Sequence, residues 1–179
     1  EKPQEFISDL AIIGIYFFKD GLKLSAELQY LIDNNMKEKG EFQLTNALEN
    51  MKQKGAEFYP GKVDEWLDCG NPVAAVHANK RVLEYTANDE SRKALNIENA
   101  QILEPCFIGT NVQLKNCTIG PYVSIGNNTC ITNSTIKNTI IQNNTTIIDA
   151  DLEDSMIGNH VEYRGGNKRL SIGDYSKIG

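Results

Sequence analysis

The sequence predicts two folds in series: a piece of an α/β sheet, then a parallel β-helix with three-sided coils. Three observations predict it. Up to about residue 90, strand-like and helix-like stretches alternate, the pattern of a mixed α/β layer. From about residue 100, helical spacing vanishes, and isoleucine, asparagine, threonine and glycine take over. Within that second stretch aliphatic residues recur at steps of five and six, and every third one falls into a column. The expected division is residues 1–95 and residues 96–179.

In the first part, residues 11–18 (Ala-Ile-Ile-Gly-Ile-Tyr-Phe-Phe) are β-branched and aromatic, as a buried central strand requires. Leu24, Leu28, Leu31 and Ile32 form a helical stripe within residues 22–38, ending near Gly40. Leu44, Leu48 and Met51 mark a second helix closed by Gly55. Residues 63–67 read as another strand. Asn71-Pro72 opens a third helix, with Asn as the cap and Pro at the first helical position, running to about Tyr85.

In the second part the columns are explicit. Ile108, Ile125, Ile141 and Ile157 form one, Leu114, Ile131 and Ile147 a second, and Ile119, Ile136 and Leu152 a third. Spacing within a column is 16 or 17 residues, one coil of three short sides. The position four after each aliphatic holds small or β-branched residues, Val112, Thr118, Val123, Thr129 and Thr145 among them, with Asp151 and Met156 as misses. Ile-Gly recurs at 108, 119, 125, 157, 172 and 178, and Gly and Asn tolerate the positive φ of a turning chain. An ordinary β-sandwich would show alternating strands with distinct loops instead. Residues 162–169 read as a loop leaving the coil, either solvated or, through its three bases, a small anion or partner site.

Composition narrows the function classes. Among 179 residues, 24 acids and 18 bases leave a net charge of −6, which argues against bulk nucleic-acid binding. No apolar run reaches the roughly 18 residues of a membrane span, and no secretory leader opens the chain, so a cytoplasmic, reducing location is expected. None of Cys69, Cys106, Cys117 and Cys130 forms a C-x-x-C pair; Cys117 and Cys130 read as apolar thiols in strands. The Asn-x-Ser/Thr triplets at Asn116 and Asn133 read as turns.

Two histidines and one carboxylate carry the candidate chemistry. His77 falls inside the third helix and reads as a surface or packing residue. His160 sits at a coil corner; it is the candidate general base if the β-helix is an acyltransferase. Asp68, in Trp66-Leu67-Asp68-Cys69-Gly70, stands between an apolar strand and a helix start, where α/β sheets place ligand groups. It reads either as an oxygen ligand for Mg²⁺ or as a turn carboxylate at the helix entry.

Glu1-Lys2-Pro3, the apolar stretch at residues 11–18, Phe42-Gln43-Leu44-Thr45-Asn46 and Trp66-Leu67-Asp68-Cys69-Gly70 follow one another in an order that resembles the sugar-1-phosphate nucleotidyltransferases, notably the glucose-1-phosphate thymidylyltransferase group. The second part resembles the hexapeptide-repeat, left-handed β-helix extension that many of them carry. The resemblance implies a part of a Rossmann-like nucleotidyltransferase sheet. It implies that Glu1 holds sugar hydroxyls and that Lys2 is a catalytic residue contacting the sugar phosphate. It also implies that Ile12 and Gly14 line the sugar pocket, that Lys62 faces the phosphate, and that Asp68 binds Mg²⁺ with Trp66 beside it. The implied reaction joins a sugar 1-phosphate to a nucleoside triphosphate with loss of pyrophosphate.

The sequence departs from the family's pattern at Asn46, where Asp is usual, at Cys69, where Thr is common, and at Lys62, where an Arg is found. No G-x-G-T-R nucleotide loop occurs in the 179 residues. The expectation is therefore the C-terminal portion of such an enzyme, cut at Glu1-Lys2-Pro3 and inactive alone. A homo-oligomer formed through the β-helix is expected too. The other readings are a hexapeptide-repeat acyltransferase using His160, and a non-catalytic assembly or regulatory module.

Overall fold

The computed structural model describes residues 6, 9–10, 12–86 and 96–178. It shows a small N-terminal portion whose described residues form helices, followed by a parallel β-solenoid of about five coils, consistent with a left-handed β-helix. By contact, the chain divides into two compact units between Trp66 and Leu67. The change of sequence grammar at residues 95/96 lies elsewhere, because the last helix packs with the solenoid.

The first unit is built on two helices, α1 (Gly21–Asp33) and α2 (Leu44–Gln53). Asp20 caps α1 by accepting from the backbone N–H groups of Leu22 at 3.0 Å and Lys23 at 3.3 Å. The helix stops at Asp33, five residues short of the expected 38. Asn35 adopts φ 51°, the Met36 N–H returns to the Leu31 carbonyl, and the Asn35 N–H returns to Ile32. That is a Schellman stop with asparagine in the left-handed position. Gly55, at φ 89°, ends α2 in the same way, with Ala56 N–H on Met51 and Gly55 N–H on Lys52, as the sequence predicts.

The helices pack through Leu31, Ala47 and Met51. The buried Glu27 lies on the packed stripe, and its Oε1 pairs with Lys54 Nζ at 2.6 Å.

The two stretches expected as strands in this unit are not strands. Described residues 12–18 and 63–67 carry no ladder pairing, and Ile12 is 68% and Phe17 88% exposed. Ala11 lies outside the described residues. β-branched composition supplies the capacity to pair, but a strand is stable only with neighbours on its edges, and none of the described strands pairs with these segments.

The second unit opens with α3 (Pro72–Thr86), capped by Asn71, whose Oδ1 accepts from Ala74 N–H at 2.9 Å. The solenoid follows. Its strands are β1 (Asn96–Ile102), β2 (Cys106–Ile108), β3 (Gln113–Ile119), β4 (Val123–Ile125), β5 (Cys130–Thr132) and β6 (Thr135–Lys137). Then come β7 (Ile140–Ile141), β8 (Thr146–Glu153), β9 (Met156–Ile157), β10 (Glu162–Lys168), β11 (Ser171–Ile172) and β12 (Lys177–Ile178). All ladders are parallel. One sheet runs β2-β4-β7-β9-β11, one strand per coil. The other runs β1-β3-β5-β8-β10-β12, with β6 between β3 and β8.

Register confirms the three columns pair by pair. Ile108 faces Ile125, then Ile141, Ile157 and Ile172. Leu114 faces Ile131 and then Ile147. Ile119 faces Ile136 and then Leu152. These side chains fill the interior, and Ile119, Ile125, Ile131, Ile136, Ile147, Leu152 and Ile157 are wholly buried. Each such burial contributes about 1.5–3 kcal/mol.

The small-residue rule needs a correction. Counting four forward works after a six-residue step and slips by one after a five-residue step. The invariant position is two before each aliphatic: Val112, Cys117, Val123, Thr129, Ser134, Thr139, Thr145, Ala150, Ser155 and Val161 are all buried. Ala150 and Ser155 are therefore the corner residues where Asp151 and Met156 looked like misses. Strand alternation puts i and i−2 on the same inner face. The buried hydroxyls there do two things. Thr145 Oγ1 donates to the Gly158 carbonyl at 2.9 Å and accepts from Val161 N–H at 3.3 Å. Ser155 Oγ likewise donates to Glu153 and accepts from Leu170 N–H, both at 2.9 Å. The Thr145 and Ser155 hydroxyls are thus satisfied inside the coil.

Corners turn through left-handed residues, and these are mostly asparagine. Asn99, Asn116 and Asn133 (φ 48–49°) and Asp149 (φ 54°) stack down one corner. Each asparagine amide donates to the next side chain, at 2.9, 3.2 and 3.0 Å in turn. An acceptor-only carboxylate ends the chain of amides, and Arg164 pairs with its other oxygen. Asn138 donates to Asp154 at 2.5 Å, and Asp154 pairs with Arg169.

Most of the Ile-Gly glycines serve a different purpose from the one expected. Only Gly120 among those described has a positive φ (107°). At Gly109, Gly126 and Gly158 a Cβ would fall 2.5–2.7 Å from Asn127, Asn143 and Asp174, whose side chains accept the N–H that follows each glycine. Close approach of the next coil demands glycine there.

Residues 162–169 are not a loop. β10 pairs with β8 through Lys168, Tyr163 faces Ile147 in the aliphatic column, and Gly165 (φ 91°) takes the corner that asparagine holds above. A tyrosine in an aliphatic slot and a double glycine hid the repeat.

Two predictions follow from this packing. Ile131→Ala, at the centre of a column, is expected to cost about 3 kcal/mol, read from urea unfolding. The Asn138 and Arg169 contacts hold the Asp154 carboxyl below its ordinary value. Its contribution to stability is thus full above the unfolded carboxylate value of about 4 and is lost as pH falls through the lower folded value. The difference in unfolding midpoint between the natural chain and Asp154→Asn is expected to shrink below about pH 4; a difference constant with pH would contradict it.

Candidate functional site

The turn at the start of the second unit carries the strongest chemistry. Asp68 is exposed, and its Oδ1 accepts the Gly70 N–H at 2.9 Å, closing an Asx turn. A Cβ on Gly70 would lie 3.1 Å from that oxygen, so glycine leaves the carboxylate its room. The Asn71 cap and Pro72 then start α3. The sequence from Asp68 to Ala74 is thus tied residue by residue to the start of a helix. The carboxylate is an exposed, hard oxygen donor with one oxygen engaged by Gly70. Among the described residues no group of three His, Cys, Asp or Glu gathers to hold a metal by protein ligands alone.

The other expected site residues stand as follows. Glu1 and Lys2 lie outside the described residues. Ile12, Gly14, Lys62 and Trp66 belong to the first unit. All four are exposed, Trp66 at 60%, and Gly14 has φ 82° with open space around it. No hydrogen bond, ion pair or ring contact joins these four to one another. Asp68 belongs to the second unit.

His77 is on the exposed surface of α3, as its place in the helix suggests. His160 occupies a corner at φ 55°, and its ring stacks on Tyr175 with centroids 4.8 Å apart and planes 5° from parallel.

Sequence reasoning missed two features. The first is a groove of about 860 Å³ along the solenoid corner, lined by the Asn99–Asn116–Asn133–Asp149 ladder with Ser134 and Thr135. Its signal in the sequence is the recurrence of Asn99, Asn116, Asn133 and Asp149 at the same coil period as the isoleucines. The second is the seat of α3 on the solenoid. Val76, Ala78 and Leu83 are buried. Asn79 accepts from Ser124 Oγ at 2.5 Å and donates to the Tyr122 carbonyl at 3.3 Å. Lys80 lies 4.6 Å above the Tyr122 ring. No local pattern announces a polar helix residue meeting a coil 45 positions later.

Known proteins bear on both units. Residues 1–85 match the model of the nucleotidyl transferase family. A glucose-1-phosphate thymidylyltransferase of Streptomyces antibioticus is 27% identical over 99% of the chain and 55% of its own length. Its counterpart in Streptomyces griseus is 25% identical, with the same coverage. A low-salt glycan biosynthesis nucleotidyltransferase of Haloferax volcanii is 25% identical over 99% of the chain and 56% of its own length. The chain spans about half the length of these curated relatives. No described helix is long and apolar enough to cross a membrane. Three relatives of this chain are nucleotidyltransferases by name, and its residues 1–85, just under half of its length, match the nucleotidyl transferase family model ahead of a parallel β-solenoid.

Proposed function

We propose that the chain is the C-terminal portion of a sugar-1-phosphate nucleotidyltransferase, of the kind that activates glucose 1-phosphate with a thymidine nucleotide. The observation that carries this reading is the extent of the similarity. It runs over 99% of the chain in two glucose-1-phosphate thymidylyltransferases, so it takes in the solenoid as well as the family-matched residues. The Glu1-Lys2-Pro3 and Trp66-Leu67-Asp68-Cys69-Gly70 motifs supply the sugar-phosphate side of that chemistry.

In this reading Glu1 holds sugar hydroxyls and Lys2 neutralises the sugar phosphate. Lys62 faces the phosphate as a point charge, without the bidentate geometry of an arginine. Ile12 and Gly14 form the wall of the sugar pocket, and Trp66 flanks Asp68. The reacting oxygen of the sugar phosphate attacks the α-phosphorus of the nucleotide, the bond to pyrophosphate breaks, and pyrophosphate leaves with the electron pair. The protein's task is to bring two anions together and offset their charge. Asp68 suits Mg²⁺ as a single oxygen ligand, exposed and with one oxygen already oriented by Gly70. Bound there, the cation supplies charge neutralisation at the phosphates. The 179 residues hold no G-x-G-T-R nucleotide loop, so the chain alone is proposed to be inactive. The exposed solenoid faces are proposed to join copies of the chain, and the enzyme is proposed to work in the cytoplasm.

Pyrophosphate release from glucose 1-phosphate with dTTP or UTP tests the reading. The chain by itself is expected to give none. An active protein containing it is expected to lose at least about a hundredfold in kcat on Asp68→Ala. Robust turnover by the chain alone, or unchanged turnover in Asp68→Ala, would contradict the assignment.

A further inference from the structure

We propose that α3 is a bracket through which the solenoid positions Asp68, with Asn79 and Ser124 as the positioning residues. The proposal rests on the reading of Asp68 as a metal-binding carboxylate. Residues 1–85 carry the transferase pattern, yet the compact unit that contains Asp68 and α3 is the solenoid's. The helix is thus part of one domain by sequence and of the other by packing.

The chain of contacts is continuous. Asp68 is held to Gly70 by the Asx turn, and Asn71 is held to Ala74 by the cap. Two turns further on, both halves of the Asn79 amide are engaged, its oxygen by Ser124 and its nitrogen by the Tyr122 carbonyl. Ser124 points outward from β4 between Val123 and Ile125, both wholly buried in the solenoid core. The seat can therefore move only if the core moves. From Pro72 to Asn79 the helix rises about 11 Å, so a tilt of about 10° at the seat displaces the Asp68 end by about 2 Å. A misplacement of about 1 Å at a reacting centre can lower a rate by about a hundredfold. One hydrogen-bonded amide on the solenoid is thus enough to decide whether the carboxylate is in place.

Two measurements test this. In the chain itself, backbone ¹⁵N order parameters of Cys69 and Gly70 are expected near the rigid value of about 0.85 and to fall below about 0.6 in Asn79→Ala. Ser124→Thr keeps the hydroxyl and is expected to behave like the natural chain. Thr135→Ala, on an exposed coil position away from the seat, serves as the control for general loosening. Values already low in the natural chain, or unmoved by Asn79→Ala, would overturn the bracket. In an active protein containing the chain, Asn79→Ala and Ser124→Ala are expected to raise the Mg²⁺ concentration for half-maximal rate at least tenfold, with Ser124→Thr restoring it. An unchanged Mg²⁺ dependence alongside lowered order parameters would overturn the positioning role. Unchanged turnover in Asp68→Ala would instead overturn the metal assignment, leaving the order-parameter result to stand by itself.

Discussion

The parallel backbone ladder between coils is the constraint on which the second unit depends. Each coil must return to the same register 15 to 17 residues later, as Ile108, Ile125, Ile141, Ile157 and Ile172 do. That requirement fixes what every position can hold. An aliphatic and, two before it, a small residue must point inward. A residue able to adopt positive φ must sit at each corner. The third demand, space for the coil below, falls on Gly109, Gly126 and Gly158. The ion pairs between coils, such as Glu98–Lys115 at 3.0 Å and Lys137–Glu153 at 2.8 Å, are exposed and add at most about 1 kcal/mol each. The aliphatic columns and the buried hydroxyls carry the fold.

The same regularity gives the solenoid a stiff surface, and α3 uses it. A helix set on a loop would have nothing to hold its tilt. A helix set on β4 is referenced to Val123 and Ile125, which the core locks. The seat is polar as well as apolar, and the polar part is specific: an amide with both ends engaged fits in one register only. This is why the boundary drawn by sequence and the boundary drawn by contacts differ. The pattern of residues 1–85 ends within the helix, whereas packing assigns the helix to the solenoid.

The solenoid was legible because its signal is repetitive. Ten aliphatic positions agreed on the columns, so a one-residue slip at the small positions and the disguised coil at Tyr163 and Gly165 did not hide it. α3 was legible from its Asn71-Pro72 cap, α2 from its stripe and Gly55 stop, and α1 from its aliphatic stripe alone, which Asn34-Asn35 ended early. The site was less legible. Asp68 stood out because a carboxylate after an apolar stretch and before a helix cap has few uses. Asn79 and Ser124 did not, because neither is unusual where it stands in the chain.

By itself the sequence determined the parallel β-helix, its three columns, the Asn71 cap, the Gly55 stop and the order of motifs that resembles the transferases. All of these depend on residues close in the chain or repeated at a fixed period. Only the tertiary structure decided that residues 12–18 and 63–67 are unpaired, that the corner glycines answer to the neighbouring coil, and that α3 belongs with the solenoid. Each of these depends on what lies across space from a residue, and a strand propensity or a helix stripe states a capacity for contact without naming the partner.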